Sequence, residues 1–420
     1  MFPPNPHVIV LTGPGLVADL RLLTEVADRE FAALGLGGTV SATSDLPGFR
    51  AALESPDVLV VLPGPDPEVR RLFAERPDAV WLDLTKADAP LPALVDGTAS
   101  GSGTASASGE AGAGGTASGG GEAGAGGTRG MVGTHLHGRG IWGLTWAIRH
   151  AVHRLRRPAH RIAYGDHPDQ WAEMRPPYGV VGQAPTTMPP YETNGQIPTA
   201  VATREDGEQA PTVVLLHGGF WRSIWGADLM DALAIDLAER GFAAWNLEYR
   251  RPDLHGWDAT TEDVARGVAL AAQSARGPLV VIGHSAGGQL ALRAAADDRR
   301  VTLAVSLAGV LDLAEGDRRH MSSGAVAVAL GGSAAEVPGA YRRSGPLERL
   351  PLGVPQLIVQ GGGDDLDLVD FGRRYARAAQ EAGDQVTYLE MSGDHFDVID
   401  PASPIWRATA GAVAEHRKPS

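Results

Sequence analysis

VVIGHSAGGQLAL, residues 280–292, sets a serine between two glycines, directly after an apolar run and directly before one rich in alanine and leucine. Ser285 is either a nucleophile or a small residue in a tight turn. Gly-x-Ser-x-Gly arises readily by chance in a chain with 55 glycines among 420 residues, so the pattern needs partners. Read as strand then helix, the stretch makes a sharp turn that holds the Ser285 hydroxyl out from the backbone. Catalysis would further need a base, an orienting carboxylate and oxyanion donors, in an order that one fold can bring together.

Around this stretch lie PTVVLLHGG (211–219), FAAWNLEYR (242–250), VTLAVSLAG (301–309), PQLIVQGGG (355–363) and QVTYLEM (385–391), apolar runs of strand length. Helical segments are expected between them, from Ala227 to Gly241 and from about Thr261 to Ala275. Strands this apolar are buried on both faces, which predicts a mainly parallel sheet with helices on both faces. Ligands on such a sheet bind beyond the carboxyl ends of the strands. RIAYG (161–165) and QWAEMRP (170–176) predict an opening pair of strands, and the Pro-rich stretch from 177 to about 209 reads as a surface loop.

The candidate catalytic residues fall just past strand ends. Ser285 follows LVVIGH, Asp364 follows PQLIVQGGG, and His395 follows VTYLEMSGD. A serine hydroxyl needs an imidazole to take its proton and a carboxylate to fix that imidazole's tautomer. Asp365 is the rival for the carboxylate. HGGFW (217–221) closes the strand PTVVLLHGG with paired glycines, suiting an oxyanion hole built from the amides of Gly219 or Phe220 together with Ala286. Trp221 and Trp225 either line a substrate pocket or pack the core. Tyr249 and Arg250 are expected to brace the oxyanion loop.

Bulk properties narrow the field. The net charge of −14 speaks against nucleic acid as partner, because a phosphate backbone would be repelled by most of the surface. The absence of cysteine excludes disulfides, thiolate metal sites and cysteine nucleophiles. No run reaches the roughly 20 apolar residues of a membrane span. The opening MFPPNPHVIVLTGPG lacks a basic n-region and a long apolar h-region, so a cytoplasmic, membrane-free protein without cofactor or metal is expected.

The first part of the chain alternates likewise. HVIVLTGPG (7–15), DVLVVLPGPD (57–66) and AVWLDLT (79–85) read as strands, 16–35 as a helix, and GRGIWGLTWAIRHAVHRLRRP (138–158) as a short strand running into an amphipathic helix that stops at Pro158. Residues 97–130 hold only small and polar residue types, with GEAGAGGT at 109–116 and again at 121–128, and read as a flexible insertion. From 129 to 161 come Arg129, Arg139, Arg149, Arg154, Arg156, Arg157 and Arg161 with no acidic residue. They form either an anion or partner surface or, the favoured reading, a helix whose cationic end complements its dipole. His135 and His137 have no further metal ligands nearby in sequence.

From about residue 160 onward the chain resembles the α/β-hydrolase superfamily, and within it the esterase and kynurenine-formamidase (arylformamidase) group. The likeness rests on YGDHPDQWAEMRPP, HGGFWRS, WNLEYRR, GHSAGGQLAL, SLAGVLDL, GGGD and GDHFDVIDP. It implies a triad of Ser285, Asp364 and His395, with HGGFW as the oxyanion loop, and so prefers Asp364 to Asp365. The group's His-Gly-x-x-Asp turn reads QGGGD here, with Gln360 where the histidine is usual. The implied activity is serine hydrolysis of small carboxylic esters or aryl formamides, N-formylkynurenine among them.

The opening unit resembles a degenerate type II 3-dehydroquinate dehydratase, a flavodoxin-like α/β fold, through VIVLTGPGL, DVLVVLPGPDP, AVWLDLTK and GRGIWGLTWAIRHAV. Gly15, Leu62 and Asp83 replace that family's two asparagines and histidine, and no tyrosine precedes Tyr164, so this unit is expected to be silent for dehydration. Its glycine turns, TGPG and PGPD, are a lesser candidate for an anion cradle. The family's large assemblies imply a homo-oligomer as one expectation. The expected division is 1–157, dehydroquinase-like, and 158–420, hydrolase. The rival readings are a binding or regulatory protein of two pseudoenzyme units and a peptidase of the same fold.

Overall fold

The computed structural model describes residues 6–86, 133–178, 210–275 and 277–416. The repeated small-residue insertion at 97–130, Arg129, and most of the Pro-rich stretch lie outside the described residues. Two sheets organise the rest.

The first comprises β1 (His7–Thr12), β2 (Gly37–Ala42), β3 (Val58–Leu62), β4 (Val80–Asp83) and β5 (Thr134–His137), all parallel, in the order β2-β1-β3-β4-β5. This is the flavodoxin-like doubly wound order. The helices Leu20–Leu34 and Trp142–Arg156 cover one face through Leu23, Ala27, Phe31, Leu144 and Ile148. Phe49, Val69 and Phe73 cover the other. Asp19 caps the first helix by accepting from the amides of Arg21 and Leu22, and Gly35 ends it in the left-handed region at φ 65°. The strand β2 escapes sequence reading because GGTVSA carries few apolar side chains. Its Gly38 leaves room for the Phe31 ring, which would lie 2.5 Å from a Cβ there.

The chain passes to the second sheet between Arg156 and His160. This sheet comprises β6 (His160–Ala163), β7 (Trp171–Arg175), β8 (Thr212–Leu216), β9 (Ala243–Leu247), β10 (Leu279–His284), β11 (Val301–Leu307), β12 (Gln356–Gly361) and β13 (Val386–Met391). Their order is β13-β12-β11-β10-β8-β9-β7-β6, all parallel except β7, which runs antiparallel to both its neighbours, β9 and β6. Alternate residues feed two separate cores. Val214, Leu216 and Val281 meet helices Trp257–Ser274 and Leu366–Glu381, whereas Val213, Leu215, Val280 and Ile282 meet helices Asp231–Glu239 and Pro404–Glu415. The segment expected to be helical from Ala227 begins as a 3-10 turn, Ala227–Met230, and the helix expected from Thr261 begins one turn earlier at Trp257.

Helix Trp142–Arg156 belongs to the first core yet also packs on the second. Trp146 lies against the core that helices Asp231–Glu239 and Pro404–Glu415 share, and the His150 Nδ1 atom bonds the Asp231 carboxylate. Asp231 also accepts from Asn246 at 3.2 Å and faces Arg175 at 3.7 Å. Burial would raise the Asp231 carboxyl, but His150 and Arg175 hold it below the ordinary carboxylate range. The basic run is therefore committed internally: Arg149 pairs with Glu30, Arg154 donates to Thr134, Arg157 pairs with Glu239, and Arg161 lies over Trp171. Asp231→Ala, which leaves Arg175 buried beside a lost partner, is expected to cost about 3–5 kcal/mol, measured as the loss in unfolding free energy of the full chain in urea.

Candidate active site

The strand β10 ends in His284, and the next residue turns sharply. Ser285 has φ 54° and ψ −120°, a conformation costing about 1–3 kcal/mol for a residue with a side chain. Its surroundings enforce it. A Cβ on Gly283 would lie 1.9 Å from the Gly287 carbonyl oxygen, and one on Gly287 would lie 2.2 Å from that of Leu216. Ser285 N–H donates to Leu307 O at 2.8 Å, and its carbonyl accepts from Gly288 N–H at 2.9 Å, so one side of the bend is tied to the sheet and the other to the first turn of the helix Ala286–Asp297.

Beside it, β8 runs into the HGGFW loop. Gly219, Phe220 and Trp221 have φ of 110°, 49° and 57°, three successive residues in the left-handed region. Gly218 sits against the elbow, where a Cβ would come within 2.9 Å of Ser285 Cβ. Among the described residues, the amides of Gly219, Phe220 and Ala286 make no hydrogen bond. The loop is braced from below. His217 stacks on Tyr249 at 4.3 Å, Tyr249 Oη donates to His217 O at 2.8 Å, and His217 Nε2 bonds Glu248 at 3.2 Å. Glu248 also accepts from Ala227 N–H and Arg251. Burial would raise its carboxyl, but Arg251 and His217 hold it well below the ordinary range. Tyr249 thus braces the loop as expected, while Arg250 does not: its guanidinium pairs with Asp263 at 2.7 Å. That brace is Arg251, acting through Glu248.

Past β12, Asp364 Oδ2 accepts from His395 Nδ1 at 2.8 Å and from Gln360 Nε2 at 3.0 Å, and Oδ1 accepts from the Asp365 amide at 2.7 Å. Gln360 therefore donates to the same oxygen as the histidine. Asp365 instead caps helix Leu366–Glu381 by accepting from Asp367 N–H. The glycines of QGGGD let the histidine loop approach: Gly363 N–H donates to Gly393 O at 2.9 Å, and a Cβ on Gly361 would lie 2.6 Å from that oxygen. Asp394 Oδ1 accepts from the amides of Phe396 and Asp397, which fixes the turn carrying His395.

Serine and histidine loops meet through His284. Its Nε2–H donates to His395 O at 2.9 Å, and the two rings lie 4.6 Å apart. Burial, and then the charge His395 can carry, hold His284 well below its ordinary value, so it is neutral. Among the described residues no hydrogen bond joins Ser285 Oγ to the His395 ring. Such bonds are often long or misaligned before substrate arrives.

Trp221 is 1% exposed and donates to Gln289 at 3.2 Å, a core residue under the loop. Trp225 packs on Gly219, where a Cβ would lie 2.3 Å from it. His135 bonds Asp83 at 2.8 Å, with Arg70 on the same carboxylate, and the TGPG and PGPD turns pack on one another, Gly13 against Pro63 and Gly64 against Pro14. One cluster has metal-ligand types, His167, Asp169 and His255, with donor atoms within 4.8 Å. Two of its three members have partners inside the fold: His167 Nδ1 accepts the Asp169 N–H, and Asp169 faces Arg251 at 3.4 Å.

A family model described as alpha/beta hydrolase fold matches residues 213–399. Among solved structures, a truncated carbohydrate esterase from gut microbiota is 16% identical, at a TM-score of 0.49, over 61% of this chain and 95% of that one. Esterase B from Lactobacillus rhamnosis is 15% identical, at a TM-score of 0.48, over 66% and 91%. A thermophilic esterase of the Planctomycetes species Thermogutta terrifontis is 18% identical, at 0.45, over 61% and 90%. Comparison with curated proteins finds no match. The second sheet and its helices form an α/β-hydrolase fold, preceded by the smaller α/β unit. No helix among the described residues is long and apolar enough to cross a membrane.

His284 and His153, the latter pushed down to about 4 by burial, resist protonation in the folded chain. Each takes up a proton near pH 6.5 when unfolded, so below that pH the unfolded state binds more protons and stability falls with falling pH. Urea titrations are expected to show unfolding free energy falling as pH drops below about 6.5, with each such histidine contributing at most about 1.4 kcal/mol per pH unit.

Proposed function

We propose that the second unit is a serine hydrolase that cleaves small carboxylic esters or aryl formamides through an acyl-enzyme. The observation that carries this reading is the Asp364–His395 pair, 2.8 Å apart, set at the rim that also bears the strained Ser285 and the unbonded amides of the HGGFW loop. Ser285 Oγ attacks the carbonyl carbon while His395 takes its proton through Nε2, the nitrogen that Asp364 leaves open. The oxyanion forms against the amides of Gly219 or Phe220 and Ala286. Collapse breaks the ester C–O or amide C–N bond, and His395 returns the proton to the leaving alcohol or amine. Water, deprotonated by the same ring, then releases the acid and restores Ser285.

Aryl formamides such as N-formylkynurenine are the finer substrate reading, supported by the sequence resemblance; formate and the free aryl amine would be the products. Trp221 serves the core in this reading, and Trp225 the loop. The first unit is proposed as a degenerate dehydroquinase-like scaffold: Asp83, at that family's histidine position, is tied to Arg70 and His135. A small-molecule substrate in the cytoplasm, and a homo-oligomer testable by size exclusion, complete the proposal. One observation favours a non-catalytic reading, the missing bond between Ser285 and His395.

A fluorophosphonate probe separates the two. The wild type should be labelled and Ser285→Ala should not; equal behaviour of both sinks the hydrolase reading. With p-nitrophenyl esters or N-formylkynurenine, Asp364→Asn should lower kcat by about 10³–10⁴-fold, by analogy with loss of a triad carboxylate. Asp365→Asn should stay within about 3-fold, since a surface helix cap touches stability and not the imidazole.

A further inference from the structure

We propose that Arg139, a residue of the first unit, positions the HGGFW loop of the second, so that the hydrolase site is completed by a side chain from outside the hydrolase fold. The inference rests on the hydrolase reading for its consequence in catalysis, but the contact it invokes stands apart from that reading.

Arg139 lies in the turn after β5 and its side chain is 1% exposed. Both terminal nitrogens bond the Asp228 carboxylate, and Nε donates to Ile224 O at 2.6 Å. The guanidinium lies over the Trp225 ring, 4.6 Å from its centroid. That ring is the one pressed on the Cα of Gly219. One planar cation therefore grips the loop's far end at three points, and through Trp225 it backs the first of three left-handed residues. Residues in that region persist only where their surroundings over-determine them. From within the second unit the loop is tied by Asp253, which accepts from Ser223, and by Arg222, which donates to Ser322 O. Arg139 supplies the remaining side. The same unit reaches the histidine loop as well: Trp146 packs on Phe396 at 5.8 Å, and Phe396 meets the His395 ring edge-on at 5.5 Å.

An oxyanion exists only in the transition state, so a loosened donor lowers kcat and leaves ground-state binding nearly untouched. Arg139 is a positioning residue in this sense. Removing it alone leaves Asp228 buried and unpaired, so the test removes both charges with similar bulk, Arg139→Met/Asp228→Leu, an exchange that proteins often accept without loss of stability. Arg157→Gln serves as control, breaking the Arg157–Glu239 pair between the same two units but away from Ser285. Two readouts are taken on full-length protein: steady-state hydrolysis of p-nitrophenyl acetate, and hydrogen exchange of residues 217–225.

The double variant is expected to lose about 10–100-fold in kcat with KM within about 3-fold, and to exchange at 217–225 at least about 10-fold faster, short of the full loss of a donor. The control should match wild type in both. Wild-type exchange at 217–225 in the double variant overturns the proposal, whatever the turnover. Faster exchange with unchanged kcat overturns its part in the reaction. A wild type that neither turns over esters nor takes the fluorophosphonate fails the hydrolase reading alone, and the exchange comparison still decides the contact. If the double variant does not fold, Arg139→Lys, which keeps the charge but not the planar fork, is judged by the same readouts.

Discussion

Ser285 holds a backbone conformation that an ordinary residue avoids, and the geometry of the site follows from that one constraint. The bend is sterically open only because Gly283 and Gly287 lack a Cβ where carbonyl oxygens pass within 1.9 and 2.2 Å of the place one would occupy. Gly218 extends the same logic to the neighbouring strand, bringing the HGGFW loop against the serine. Each missing methyl group lets two main chains touch, and the touching chains are the ones that carry chemistry. A similar economy holds at the other end, where the glycines of QGGGD seat the loop of His395.

Buried charge does much of the remaining fixing. Glu248 joins His217, the Ala227 amide and Arg251 beneath one loop, while Asp364 gathers His395, Gln360 and the Asp365 amide beneath another. Neither carboxylate has an unshared position of consequence, and each lies on a strand end or just beyond it. Rigid sheet positions thus hand their precision to loops that would otherwise wander.

Much of this was legible in the sequence because strand ends announce themselves. Apolar runs buried on both faces stop abruptly at HGG, GHSAGG and QGGGD, and the sheet order sets the first two on adjacent strands and the third with one strand between, at the same rim. What stayed hidden lacks any local signature. β2 carries two glycines and few apolar side chains, so no alternation marks it. The helix at Trp257 starts with a glycine and no side-chain cap, which conceals its first turn. Arg139 reads in the sequence as one member of a basic run, since its partner Asp228 is 89 positions away and only the fold pairs them. No local pattern separates the adjacent arginines Arg250 and Arg251, and only the fold shows that the second holds Glu248 while the first pairs with Asp263.

Helix Trp142–Arg156 contributes Leu144 and Ile148 to one core and Trp146 to another. A segment with such divided allegiance makes the two halves poor candidates for exchange as modules. Grafting the later half onto a different N-terminal partner would bare an aspartate pair, Asp228 and Asp231, that evolved under cover. Inheritance of this architecture is then expected as a whole, with the seam drifting more slowly than either exterior.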